Sequence, residues 1–255
     1  MKPVPLRHIS FGDPDFLNGP AHAEKIVQAL HAEFPHVTFD ATIKIQHLIE
    51  HADMLPRLKQ AGCLFITSAV ESVDDTVLEY LAKRHTSADF DRAVDLLRQA
   101  GIALAPTFVA FTPWTSLEGY IALLQRLVDL RLVESVPPIQ LAIRLLIPAG
   151  SYLLTLPGFR ARLGQFDRQL LGYPWQHDDA RVDRLQQDIQ QWVADAEGRQ
   201  VARREIFAAI WRLAHSAAGV VVPDLPAGTL GEPTAHMSEP WYCCAEPTDQ
   251  QLQSF

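Results

Sequence analysis

Apolar positions along the chain change period several times, and those changes lay out a regular series of elements. Leu6-Arg7-His8-Ile9-Ser10 alternates with the period of two expected of a strand. Asn18-Gly19-Pro20 then reads as a helix entry, with a capping side chain and proline near the first helical position. Ala23, Ile26, Val27, Leu30 and Phe34 follow at helical spacing up to Pro35. Val37 to Lys44 is rich in β-branched residues and predicts a second strand. Leu48, Ala52, Leu55, Leu58 and Ala61 predict a helix broken near Asp53 and stopped at Gly62.

Cys63 to Val70 is almost continuously apolar, as a strand buried on both faces should be. A short helix is expected from Asp74 through Leu81. A second has a Thr86/Asp89 capping-box pattern, with Phe90, Ala93, Val94 and Leu97 on one face. Ile102–Phe111 predicts a fourth strand, irregular at Pro106. Thr115 and Glu118 are expected to cap a helix carrying Leu117, Ile121, Leu124 and Val128. Ile139–Ile147 predicts a fifth strand. Beyond Pro148-Ala149-Gly150 the pattern turns helical, over about 151–171, 178–197 and 199–217, and the tail from Pro223 reads as extended.

Strands beginning near 6, 37, 63, 102 and 139, each followed by helical material, predict βαβ units with right-handed crossovers. The expected class is α/β: a partial (β/α) TIM-type barrel of about five parallel strands over 1–150. A helical region over 151–222 and an extended tail over 223–255 complete the expectation.

Composition adds bounds rather than chemistry. A chain of 255 residues can bury a sizeable core, and 48% hydrophobic with 20% charged residues is ordinary globular usage. A formal charge of −8 argues against nucleic acid as the partner. No apolar run approaches the roughly 20 residues of a membrane helix, and no signal-peptide core follows Met1, so the expectation is a cytoplasmic protein without a membrane partner. The cysteines are Cys63, inside an apolar strand, and the adjacent pair Cys243-Cys244. That is no disulfide framework and no set of metal ligands. No metal-ligating residue is therefore assigned.

In parallel α/β folds ligands sit at the C-terminal ends of strands. That edge gathers Gly12, Asp13 and Asp15 after the first strand and Lys44 after the second. Ser68 and Glu71 follow the third, Thr112 the fourth, and Arg144 lies on the fifth. Carboxylates that can hold an ammonium or ribose hydroxyls, with cations that can hold a carboxylate, suit a small zwitterionic or ribose-bearing ligand. Each also has a purely structural alternative. Asp13 could only cap its turn, Asp15 could be solvated, Lys44 could lie over the sheet end, and Ser68 could bond to backbone. Arg144, among Leu and Ile, must be paired or face a polar cavity.

Several of these stretches resemble one family. Ser68-Ala69-Val70-Glu71-Ser72 with Lys83-Arg84-His85-Thr86 is similar to the "G-V-E-S … K-G-H-T" stretch of radical S-adenosylmethionine (radical SAM) enzymes. Thr112-Pro113-Trp114-Thr115-Ser116-Leu117-Glu118 resembles the turn after that superfamily's fifth strand. Asp13-Pro14-Asp15-Phe16 resembles the "D-D-x-F" after its second, and Arg144 with Pro148-Ala149-Gly150-Ser151 its sixth strand and exit. Trp241-Tyr242-Cys243-Cys244-Ala245-Glu246-Pro247 looks like the tail that names the CCAEP-tail (or CUAEP-tail) radical SAM proteins and selenoproteins, in which selenocysteine would stand at Cys243.

The resemblance implies a barrel whose C-x-x-x-C-x-x-C loop holds a [4Fe-4S] cluster that binds SAM. Electron transfer cleaves SAM to methionine and a 5′-deoxyadenosyl radical, which acts on a small-molecule or peptide substrate. Flavodoxin or ferredoxin would be the electron donor. By position, Gly12, Asp13 and Asp15 would lie near the methionine ammonium, and Ser68 and Glu71 near ribose and methionine. Lys44 and Thr112 would complete the strand-end set. Arg144 would lie near the methionyl carboxylate or the substrate, and the Cys243-Cys244 thiols would act as a redox pair or metal ligands. The three-cysteine loop is not in this sequence. The expectation is therefore a part of such an enzyme that lacks the first strand and cluster loop, with a cluster-free SAM-like binding module as the alternative.

Overall fold

The computed structural model describes residues 7–226, 228 and 230–231. Four parallel strands form one sheet in the order β1-β2-β3-β4: β1 (His8–Phe11), β2 (Thr38–Thr42), β3 (Cys63–Glu71) and β4 (Ala103–Phe108). Between β1 and β2 runs α1 (Pro20–Glu33). Between β2 and β3 come α2 (Ile45–Glu50) and α3 (Leu55–Gln60), separated by a 3-10 turn at Ala52–Met54. After β3 come α4 (Asp75–Tyr80) and α5 (Ser87–Ala100), and after β4 come α6 (Leu117–Asp129), α7 (Ala180–Gly198) and α8 (Arg203–Ala218). The α/β class is as the periodicity predicts.

The described chain divides into two compact units, one of residues 7–70 and 84–107, the other of 71–83 and 108–231. In the first, the sheet has two unlike faces. Phe39, Ala41, Ile66, Ser68 and Val70 are fully buried on one. A shift of register at Phe39/Asp40 pairs Phe39 with Cys63 and Asp40 with Phe65, so Leu64 falls between the pairings and is 37% exposed. Gly62 makes the turn into β3 possible: its φ is +105°, and a Cβ there would meet the Val37 carbonyl oxygen at 2.9 Å. The Thr86/Asp89 capping box forms as expected at the start of α5. Leu48, Leu58, Phe90 and Leu97 fill the helical side of this unit, each worth on the order of 1.5–3 kcal/mol relative to exposure.

In the second unit α8 packs against α6 and α7. Val109, Ile143, Leu145, Ile147, Leu153, Phe159 and Trp175 form a separate apolar cluster. Here the structure departs from three local expectations. The fifth strand at Ile139–Ile147 is reduced to one parallel bridge, Phe111 to Arg144. Pro137-Pro138 cannot donate to a ladder, and Pro138–Leu141 winds into a 3-10 turn. The Gln140 side chain then accepts the Phe108 N–H at 3.0 Å in place of a strand partner. The helix expected over 151–171 is instead two 3-10 turns, Tyr152–Thr155 and Phe159–Arg162, followed by antiparallel bridges. Pro157, left-handed Gly158 and Gly164 interrupt it. Ser116, not Thr115, caps α6, because the Thr115 hydroxyl is engaged with Thr112. In the first unit, likewise, α1 is capped by Gly19 without a side-chain bond, and Asn18 ends a 3-10 turn.

Candidate functional site

The turn leaving β1 is built by Asp13, whose Oδ1 accepts the Asp15 N–H at 2.8 Å, while Phe16 and Leu17 bury beneath it. This carries Asp15 inward until it is only 5% exposed. The chain leaving β2 supplies its partners. Asp15 Oδ1 accepts the Lys44 N–H at 3.4 Å, and His47 Nδ1 lies 3.0 Å from the same oxygen. Asp15 Oδ2 lies 2.9 Å from His47 Nδ1 and 3.1 Å from Lys44 Nζ, as ion-pair contacts without hydrogen-bond geometry. Burial alone would raise the Asp15 pKa, but the His47 and Lys44 hydrogen bonds outweigh it and hold the carboxyl below its ordinary value. The Gln46 amide nitrogen lies 3.2 Å from His47 Nε2, on the ring edge away from Asp15. Lys44 keeps 59% of its side chain exposed, so its ammonium can exchange partners without uncovering core.

Below this cluster the non-helical face of β1 and β2 carries a second polar network. His8 and Ser10 stand opposite Thr38 and Asp40 in register. Ser10 Oγ donates to Asp40 Oδ2 at 2.6 Å, His8 Nε2 reaches the same oxygen at 2.9 Å, and His8 Nδ1 meets Thr38 Oγ1 at 2.8 Å. The His8 ring stacks on Phe65 of β3. Asp40 is 2% exposed, a buried carboxylate with a matched donor set. His8, Asp40 and His47 were not among the residues singled out from sequence. The signal was the polar half of the strand alternation, His8/Ser10 and Thr38/Asp40/Thr42, which marks a strand face that does not pack on helices.

The other expected residues are placed as follows. A Cβ on Gly12 would meet nothing within 4 Å, so packing does not demand glycine there. Ser68 Oγ donates to the Ile43 carbonyl at 2.6 Å, the structural alternative. In the second unit, Glu71 ends β3 at φ +66°, a conformation that costs a non-glycine residue on the order of 1–3 kcal/mol. Its Oε1 accepts Lys83 Nζ at 2.7 Å. Thr112 is buried within its own turn, hydroxyl to hydroxyl with Thr115 at 2.8 Å. Arg144 donates to Asp183 Oδ1 at 2.7 Å and to the Trp175 carbonyl, and lies 3.5 Å over the Trp175 ring. Structure thus joins Asp13, Asp15 and Lys44 in one cluster, and holds Glu71, Thr112 and Arg144 in separate pairings. Cys243 and Cys244 lie outside the described residues.

A cluster-binding role does not fit what is described. Among the described residues no group of three or more His, Cys, Asp or Glu could hold a metal ion. Cys63 is buried at the start of β3, and burial, followed by the charge of Asp40, pushes its thiol up to about 12, far from the thiolate a metal needs. What Asp15 and Lys44 offer from neighbouring strand ends is a buried carboxylate beside an exposed ammonium. No described helix is long and apolar enough to cross a membrane.

No family model and no curated protein matches this chain. Among solved structures it is similar to the cobalamin-dependent S-adenosylmethionine radical enzyme OxsB. With aqua-cobalamin bound, OxsB superposes at TM-score 0.62 and 17% identity over 83% of this chain and 39% of that one. With aqua-cobalamin and S-adenosylmethionine bound the values are 0.60 and 15% over the same shares, and the apo form gives 0.52 and 16% over 76% and 34%. The chain therefore spans about two fifths of the length of this neighbour. The likeness is one of fold.

Proposed function

We propose that this chain is part of a radical SAM enzyme of the CCAEP-tail type, in which the strand-end cluster of Asp15, Lys44 and His47 binds the methionine end of SAM. The observation that carries this reading is a zwitterion-matched pair, buried Asp15 and exposed Lys44, at adjacent strand ends of a parallel sheet. The fold likeness to an enzyme described with SAM bound supports it. Asp15 would accept from the ligand ammonium and Lys44 would swing to the carboxylate, while His47 keeps Asp15 ionised and aimed. The reaction class is reductive cleavage of SAM, supplied with electrons by a flavodoxin or ferredoxin and directed at a substrate of unassigned identity. The described residues carry no cluster ligands, so the cluster would be held by residues outside them. Cys243 and Cys244 would serve as a thiol pair in turnover.

The second reading is a cluster-free SAM-binding module, favoured by the interior position of Cys63 and the absence of a ligand group among the described residues. Two experiments separate them. Isothermal titration of SAM into the chain tests binding, which both readings require. Anaerobic reconstitution with iron and sulfide, read by absorbance and Mössbauer spectra, should yield a [4Fe-4S] signal under the first reading once the ligand-bearing segment is supplied. Absence of the signal with that segment present would leave only the second. Alkylation of Cys243 and Cys244 without effect on turnover would remove the tail thiols from the mechanism.

A further inference from the structure

The second unit carries a small hairpin whose sequence is wrong for a solvent-facing turn. Asp167 N–H donates to the Gly172 carbonyl at 2.8 Å and Gly172 N–H returns to Asp167 at 3.2 Å, closing the loop 168–171. Asp167 Oδ1 accepts the N–H groups of Gln169 and Leu170, fixing the tip. Leu171 then sits at φ +54°, where glycine or asparagine is at ease and leucine is not, with 68% of its surface exposed. Phe166 beside it is 40% exposed. Leu171 thus gains neither burial nor a relaxed backbone. Arg168 at the tip has no hydrogen bond or ion pair to any described residue.

A complementary feature lies on the same unit. Between α7 and α8 runs an open groove of about 520 Å³ lined by Asp188, Trp192, Asp195, Ala209, Leu213 and Arg212. Its floor is apolar. The Trp192 Nε1–H is buried without a hydrogen-bond partner among the described residues. Two carboxylates stand on the wall. Asp195 accepts from Gln191 at 3.0 Å, while Arg212 is turned to the Ala208 carbonyl at 3.2 Å. The exposed Phe166 and Leu171 with the Arg168 guanidinium on one side, and an apolar floor whose two carboxylates outnumber its one cation, Arg212, on the other, are matched in chemistry and charge.

We propose that the Phe166–Leu171 hairpin of one copy docks into the α7/α8 groove of a second copy of this chain, with Leu171 and Phe166 on the Trp192 floor and Arg168 against Asp188 and Asp195. The contact is independent of the SAM-binding reading, since neither surface includes a residue of that cluster. Sedimentation velocity over a dilution series tests it. The intact chain should show a mass rising above that of a single 28.5 kDa chain as concentration rises, and less so in high salt. Phe166→Ser with Leu171→Asn should weaken self-association by about tenfold or more, as should Asp188→Lys with Asp195→Lys. Leu171→Asn alone should not lower the melting temperature, because it relaxes the backbone. Mixing the two double variants should restore association, since each retains the surface the other lost. A chain that stays monomeric at every concentration would overturn the proposal. So would association that survives either double variant, or a mixture that remains monomeric.

Discussion

Asp15, after β1, and Arg144, at an isolated bridge, are both charged residues with apolar neighbours, and the structure treats them oppositely. Arg144 is enclosed: its side chain is 14% exposed, and Asp183, the Trp175 carbonyl and the Trp175 ring take its guanidinium from three directions. Those partners come from distant parts of the second unit, so the arginine ties α7 to the bridge at Phe111. Asp15 is more deeply buried, but one of its partners, Lys44, reaches it from solvent. Both buried charges are ion-pair nodes, and under the proposed function the exposure of Lys44 is what would let a ligand enter the exchange.

The comparison can be broken at either end. The largest effect is expected from Arg144→Met, which strands Asp183 and removes the Trp175 contacts. Urea denaturation should show a loss of about 3–5 kcal/mol. Asp15→Asn should cost less, about 1–3 kcal/mol, since it removes the charge that Lys44 and His47 face but keeps one acceptor oxygen. The same variant should alter acid stability. The folded pKa of Asp15 lies below the 3.8 of an unperturbed aspartate, so its contribution is complete above that value and is lost as pH falls through the lower folded one. Asp15→Asn should flatten that part of the stability curve below about pH 4. The smallest stability change, under about 1 kcal/mol, is expected for Lys44→Met, whose charge is largely in water. If Arg144→Met proved as mild as Lys44→Met, the distinction between enclosed and exchangeable pairs would fail.

How much of this was legible in the sequence follows the same division. Where the chain alternates cleanly and is punctuated by Gly62, Thr86 and Gly101, the strands and helices through Phe108 fall where the pattern puts them. Beyond Pro137 the apolar run Ile139–Ile147 looks like a strand, but Gln140 substitutes its side chain for a ladder bond, and periodicity carries no such information. Asp13, Asp15 and Lys44 were identifiable because strand ends gather ligands in parallel sheets. His47 was not, because one histidine in the first turns of a short helix resembles any other until Asp15 is folded beneath it. His8 and Asp40 were visible only as the polar half of two alternations. Arg144 was expected either to be paired or to face a polar cavity; the structure pairs it, with Asp183 some forty residues on, a partner that could not be named without the fold.

The central claim, that the exposed end of the Asp15 pair is a ligand-exchange point, is tested most directly by titrating SAM into the intact chain and into Lys44→Met by calorimetry. Saturable binding by the intact chain, weakened by about tenfold in Lys44→Met with the melt nearly unchanged, is the predicted result. Absence of SAM binding by the intact chain, or equal affinity in the two proteins, would contradict it.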